Sequence, residues 1–309
     1  MNNLQAPAAV VMIRPHNFCS NPDTQVDNAF QITAGDPETT RKKALQEFDT
    51  AVETLRNAGV RVHVFDDTGT TTPDSVFPNN WFSTHSGGHI AIYPMHAPNR
   101  RLERRWDVIE ALKRSYRVQD VIDCSGLEED GLALEGTGAM VLDHIGRIAY
   151  TVTSNRADPV LLERFCTHFN YEPMAFEARD AAGREVYHSN VLMGIGSDFA
   201  MICLSMISDP SRRMEVATRL AETGHEVIDL TEDQIRNFAG NVFALTGSKP
   251  LLALSSRALE ALRPDQIRII ERSTSLLPLS IPTIETAGGS VRCMLAGIHL
   301  SPRERTTTP

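Results

Sequence analysis

The chain has 309 residues, 41% hydrophobic and 6% aromatic, which is enough for one large domain or two ordinary ones without disulfide or metal staples. Its formal net charge of −9 argues against a nucleic-acid or anionic-membrane partner. No stretch reaches the ~18 apolar residues needed to span a bilayer, and the opening MNNLQAPAAVVMIRP lacks the basic start and apolar run of a secretion signal.

In chain order, an apolar strand (AVVMIRP, 9–15) precedes a helix over 40–58 and a strand RVHVFD. The segment PNNWFSTHS (78–86) then opens a phrase that recurs. A small or polar group starts an apolar strand, a turn leads to a second one (IAIYPM, IAYTV, FAMICLSMI), an amphipathic helix follows, and a third strand closes the unit. The helices are read at 99–115, 158–169 and 209–222, and the third strands at RVQDVID, YEPMAF and HEVIDL. Asp158-Pro159 and Asp209-Pro210 fit an N-cap followed by Pro at the first helical position. Gly59 and Gly224 fit helix C-termini. The basic run Arg100, Arg101, Arg104 and Arg105 reads as the solvated face of its helix. No Pro-, Gly- or Ser-rich linker divides the chain, so a single domain over 1–309 is expected, with a polar tail at 301–309.

The repeat has a fixed column. Aligning PNNWFSTHS, EGTGAMVLD (135–143), HSNVLMGIG (188–196), AGNVFALTG (239–247) and VRCMLAGIH (291–299) stacks Asn80, Gly138, Asn190, Asn241 and Cys293, in steps of 58, 52, 51 and 52 residues. Five strand–strand–helix–strand units around an axis make a closed α/β propeller with pseudo-fivefold symmetry. AVVMIRP and the final VRCMLAGIHL would then meet to close the ring.

Equivalent positions in a radial repeat converge on the axis. Asn79, Asn80, Glu135, His188, Asn190, Asn241, Arg292 and Cys293 are therefore expected at one central pocket. A thiol, an imidazole and a carboxylate from three units form the set of a nucleophile, a general acid/base and an orienting acid. The other cysteines, Cys19, Cys124, Cys166 and Cys203, read as structural; the odd total and the absence of a CxxC spacing speak against a disulfide or zinc framework. Free thiols suit a reducing cytoplasm. Cys293 differs by following Gly288-Gly289-Ser290 and the cation Arg292, which favours a thiolate. His85 and His89 flank Gly87-Gly88 and read as a turn, so no metal site is expected, and no glycine motif fits a dinucleotide or phosphate loop.

LEGTG (134–138), YHSNV (187–191) and GGSVRCM (288–294), with VFPNNW (76–81) ahead of them, resemble the signature segments of the guanidino-group-modifying superfamily of pentein fold. The order matches from Arg14 to Cys293. The resemblance implies a five-bladed pentein propeller and a cofactor-free hydrolase. Cys293 would be the nucleophile, with protonated His188 as acid and Glu135 aligning it. It also departs from the family: Asn80 and Asn190 stand where arginine deiminases carry guanidinium-binding aspartates. A guanidinium has donors only, whereas a ureido group both donates and accepts, as a carboxamide does. The chain is therefore most similar to the citrulline-utilising branch, as MIRPHNF and NAFQ (28–31) also suggest. The expected ligand is an amino acid with a ureido or guanidino side chain, its carboxylate held by Arg14 or Arg292. Deiminase, dimethylarginine-hydrolase and amidinotransferase activities stay open as alternatives, as does a non-catalytic binding pentein. Homo-oligomerisation and the lid also stay open, with residues 66–77 and 178–186 as candidate covers.

Overall fold

The computed structural model describes residues 5–303 except 26, 27, 29, 33 and 34. The first four residues, Ala29 of the NAFQ segment and residues 304–309 of the polar tail lie outside the described residues. One phrase is repeated around an axis. The first unit holds β1 (Ala9–Pro15), α1 (Pro37–Asn57) and β2 (Arg61–Asp67). The second holds β3 (Phe82–His85), β4 (His89–Ile92), α2 (Pro98–Arg101), α3 (Trp106–Ser115) and β5 (Asp120–Asp123). The third begins with the single turn α4 (Gly136–Ala139) and continues through β6 (Met140–Asp143), β7 (Ile148–Val152), α5 (Pro159–Phe169) and β8 (Glu172–Phe176). The fourth runs from α6 (Ser189–Leu192) through β9 (Met193–Ile195), β10 (Phe199–Ile202) and α7 (Pro210–Glu222) to β11 (Glu226–Asp229). The fifth comprises α8 (Glu232–Arg236), β12 (Phe243–Thr246), β13 (Pro250–Ser255), α9 (Ser256–Ala261), α10 (Pro264–Ile270) and β14 (Ser275–Leu279). The chain returns through α11 (Val291–Met294) and β15 (Ala296–Gly297).

These elements form five three-stranded sheets. In each, the first two strands pair antiparallel and the third joins in parallel after a helical crossover. The first sheet takes its antiparallel strand from the other end of the chain: β15 pairs with β1 at Val10↔Gly297 and Val11↔Ala296. The expected five-bladed α/β propeller and its closure by the terminal segments are thus present. The crossover helices pack outside the sheets by one apolar face, as Leu161, Leu162, Phe165, Cys166 and Phe169 of α5 do. Among the described residues no helix is long and apolar enough to cross a membrane.

Three local readings change. The first helix begins at Pro37 with Asp36 as N-cap, so the Asp-Pro signal read twice downstream was present here too. The helix expected over 99–115 is interrupted between Arg101 and Trp106. The reason is Arg100, which is 2% exposed and grips buried Glu103 instead of facing water; Arg104 likewise turns to Glu128. The third change concerns the repeat column. His188 does not open a strand; it is the extended residue capping the turn α6, and the column positions lie in turns two or three residues before each first strand.

Asp158 and Asp209 accept backbone N–H groups of the first turns of α5 and α7. Replacing Asp209 by Ala should cost about 1 kcal/mol, read as a lower midpoint in urea unfolding, with catalytic rates unchanged because α7 lies outside the axis.

Candidate active site

Every first strand is entered through a tight turn, and the five turns meet at one end of the axis. Gly138 shows how closely. A Cβ placed there would lie 2.0 Å from Nδ2 of Asn80 and 2.9 Å from Nδ1 of His188. Only glycine leaves room for both side chains. Asn190 and Asn241 each direct a carboxamide nitrogen at Sγ of Cys293, both at 3.3 Å. Asn241 also donates to the Asn190 carbonyl at 2.9 Å and accepts the Arg292 backbone N–H at 3.0 Å, tying the fourth and fifth turns to the Cys293 turn. Gly288, at φ +83°, shapes the approach to that turn, and its carbonyl accepts the Tyr187 hydroxyl. Glu285 accepts the Ser290 hydroxyl at 2.7 Å and fixes the other side.

Glu135 is wholly buried and lies 2.8 Å from Nε2 of His188. Its second oxygen accepts the His96 backbone N–H at 3.0 Å. Two buried guanidinium groups stand close by, Arg100 at 3.6 Å and Arg156 at 3.7 Å. Burial pushes the Glu135 carboxyl upward, but Arg156, the His188 hydrogen bond and Arg100 together outweigh it and hold it well below the usual carboxylate range. For His188, burial is the largest influence and lowers its pKa; Glu135 opposes, the two arginines add to the lowering, and the net shift is downward. The resting imidazole is therefore neutral at pH 7. With Glu135 ionised, Nε2 carries the donated proton and Nδ1, facing Gly138 and Asn80, is the basic nitrogen.

The structure brings Cys293, His188, Glu135, Asn79, Asn80 and Asn190 together, all buried. It does not place the two expected arginines with them. Arg14 is engaged by Asp49 and Asp66 at the outer end of β1. Arg292 turns its guanidinium away from the Cys293 turn, bonding the Leu295 carbonyl and lying over Phe243. Its contribution to the site is its backbone N–H. The buried arginines at the site are Arg100 and Arg156, neither of which carries a local sequence signal. Asn241, expected at the central pocket from its column position, is there, with its carboxamide on Cys293 Sγ. Asp74, paired with Asn21 at 2.7 Å, completes the polar cluster. Asp74 Oδ1, both ends of the Asn79 carboxamide and Asn190 Oδ1 are buried without a hydrogen-bond partner, a pattern that marks where a polar ligand fits.

Both candidate covers reach this end: Phe77 of residues 66–77 packs against Gly289 beside the Cys293 turn, and Asp180, Arg184, Glu185 and Val186 of residues 178–186 share a pocket with Phe30 and Tyr187. Residues 178–186 form a small hairpin bridged at Arg179↔Glu185. The described part of residues 17–32 lies over the Cys293 turn: Asn28 bonds the Ala287 carbonyl, Gln31 bridges to Ala287, and Phe30 packs on Tyr187 and Phe238.

The family model described as N,N dimethylarginine dimethylhydrolase, eukaryotic, matches residues 14–300. No curated protein matches. Among solved structures, the chain is similar to the N-terminal domain of ArgZ, an arginine dihydrolase from the ornithine-ammonia cycle in cyanobacteria. The TM-score is 0.73 at 14% identity over 94% of this chain and 98% of that one. AgrE, in its ternary complex with ornithine and NAD+, gives 0.74 at 16% identity over 96% of this chain and 40% of that one. DDAH from Pseudomonas aeruginosa, as a mutant complexed with citrulline, gives 0.65 at 13% identity over 94% and 98%. The likeness to these structures is one of fold, the pentein propeller.

Arg100 compensates Glu103 through two bonds of 2.9 Å and stands near Asp74 and Glu135. Arg100→Met leaves buried carboxylates short of a cation and should cost about 3–5 kcal/mol, measured by chemical denaturation.

Proposed function

Because the chain belongs to the N,N dimethylarginine dimethylhydrolase family, eukaryotic type, within the guanidino-group-modifying superfamily, we propose that it is a cysteine hydrolase of carbon–nitrogen bonds whose substrate is citrulline. One observation carries the substrate choice. The groups aimed at Sγ of Cys293 are the neutral carboxamides of Asn190 and Asn241, with Asn80 beside His188. Carboxamides both donate and accept, which suits a ureido head, whereas a guanidinium offers donors alone and favours carboxylates. Related proteins support the broader chemistry: a mutant of the ArgZ domain is covalently bonded to a reaction intermediate.

In the proposed reaction, Nδ1 of neutral His188 takes the proton of Cys293 as Sγ attacks the ureido carbon. Glu135 stabilises the imidazolium that forms. The imidazolium returns the proton to the departing δ-nitrogen, and ornithine leaves a thiocarbamoyl enzyme. Water, deprotonated by His188, cleaves the thioester-like bond. The carbamate decays to carbon dioxide and ammonia, so citrulline and one water yield ornithine, carbon dioxide and ammonia. The imidazole thus starts neutral, not protonated as first expected, because burial holds its pKa down. Arg100 and Arg156 replace Arg14 and Arg292 as the candidates for the substrate carboxylate, and the open Oδ1 of Asp74 suits its ammonium group. A reducing compartment would keep the thiol available.

A second reading, a guanidino hydrolase, is favoured by that same Asp74 oxygen, a buried anionic acceptor able to meet a cation. Turnover of citrulline, read as ornithine and ammonia, should be faster than turnover of arginine or agmatine, read as ammonia, or of methylated arginines, read as methylamines. Faster turnover of arginine would sink the substrate choice and keep the chemistry. Cys293→Ala should abolish turnover with an unchanged melting temperature, and Glu135→Gln should lower kcat about 10²–10⁴-fold; residual full activity in either variant contradicts the mechanism.

The pH profile has a predicted sign. His188 acts as a base only when neutral, and its pKa lies below the ordinary histidine value. The acid limb of kcat/KM should therefore fall below about 6.5 and disappear in a His188 variant. Unfolded chains take up the proton first, so the residue's stability contribution is present above about 6.5 and is lost as pH falls below it.

A further inference from the structure

Two successive glycines, Gly288 and Gly289, lead into the turn that carries Cys293, the first of them at φ +83°. Glycine has more backbone freedom than any other residue and no side chain to pack, so the course of this stretch depends on what grips it from outside. On one side the Ser290 hydroxyl is held by Glu285 at 2.7 Å. The other grip comes from Tyr187, which is 101 residues away in the chain and donates its buried hydroxyl to the Gly288 carbonyl at 2.7 Å. Tyr187 is itself firmly seated. Its own carbonyl accepts the Ser154 hydroxyl at 2.8 Å. Its ring has the Arg156 guanidinium 4.9 Å from its centre, the His188 ring at 4.8 Å and Phe30 at 6.5 Å. A tyrosine turns about only two side-chain bonds, so packing on several sides makes it a strut of fixed length. Burial pushes its phenol far above the ordinary value, and Cys293 adds to the rise, so the hydroxyl remains a donor around neutral pH. Asn190 spans the same gap, but it ends on Sγ itself and not on the backbone from which the thiol springs.

We propose that Tyr187 is a positioning residue, whose hydroxyl sets the Cys293 turn at a fixed distance from His188, the next residue along its own strand of chain. The proposal rests on the roles proposed above for Cys293 and His188. Proton transfer between thiol and imidazole needs hydrogen-bond reach, and a misplacement of about 1 Å can cost about 10²-fold in rate. Removing the hydroxyl keeps the ring and its packing but leaves the buried Gly288 carbonyl without its donor. The glycine stretch then shifts to find another partner and carries the thiol with it.

Two readings on the full chain test this. In Tyr187→Phe, kcat on citrulline should fall at least about tenfold with KM within about twofold of the unaltered protein. The second reading needs no substrate: the rate of Cys293 alkylation by iodoacetamide, followed by mass spectrometry across pH. With the imidazole acting as base, that rate should fall on the acid side as His188 takes up a proton. In Tyr187→Phe the acid limb should move up by about one pH unit or more, because the thiol then ionises without the imidazole. Tyr116→Phe is the control: it removes a 2.8 Å bond to His63, between the end of α3 and β2, and should change neither reading. An unchanged alkylation profile in Tyr187→Phe overturns the proposal, with or without a fall in kcat, since a merely structural role would leave the profile in place. Equal shifts in the Tyr116 control overturn it too. If Tyr187→Phe does not fold, Tyr187→His, which keeps a ring but ends short of the carbonyl, is judged by the same profile. Absence of turnover on every substrate would count against the proposed reaction, and the alkylation profile would then decide the role of Tyr187 alone.

Discussion

Closure of the ring by the first and last strands is the constraint on which the site depends. β15 meets β1 at only two register pairs, Val10↔Gly297 and Val11↔Ala296. Cys293 stands three residues before β15, so this seam places its thiol beside the turns of the other units. An open propeller would leave the thiol on a chain end, while His188 and Glu135 stayed on turns belonging to other units. Asn241 strengthens the seam from the inside, accepting the Arg292 N–H and donating to both Sγ and the Asn190 carbonyl. The same side chain thus joins ring closure to the Cys293 thiol.

Convergence of five turns withdraws many polar groups from water, and the way each is compensated shapes the chemistry. Glu135 can remain an anion because His188, Arg100 and Arg156 surround it. Arg100 in turn rests on Glu103 and Asp74. Around Sγ the donors are neutral amides, which need no counter-ions. The front of the axis is therefore nearly self-neutralising, with a few buried polar atoms, such as Asp74 Oδ1 and Asn190 Oδ1, left without a partner. Arg292, partly exposed, instead donates to the Leu295 carbonyl and lies over the Phe243 ring.

The unit and its fivefold repetition were legible in the sequence, because strand and helix periodicity, Asp-Pro helix starts and a column of anchors near every fifty residues are local signals. The column also pointed to Cys293, His188, Glu135 and the asparagines as neighbours, since a closed radial repeat carries equivalent positions to the axis. The partners of the charges were not legible. Four arginines in six residues have the pattern of a solvated helix face, and only the assembled ring shows that Arg100 turns inward to Glu103 and breaks the helix. Arg156 has no periodic or motif context at all. Arg14 and Arg292 sit beside the right motifs, yet their side chains leave in other directions. Adjacency along the chain sets where a backbone passes. Which way a long side chain points is decided by buried counter-charges from distant units, and those exist only once the tertiary structure has formed.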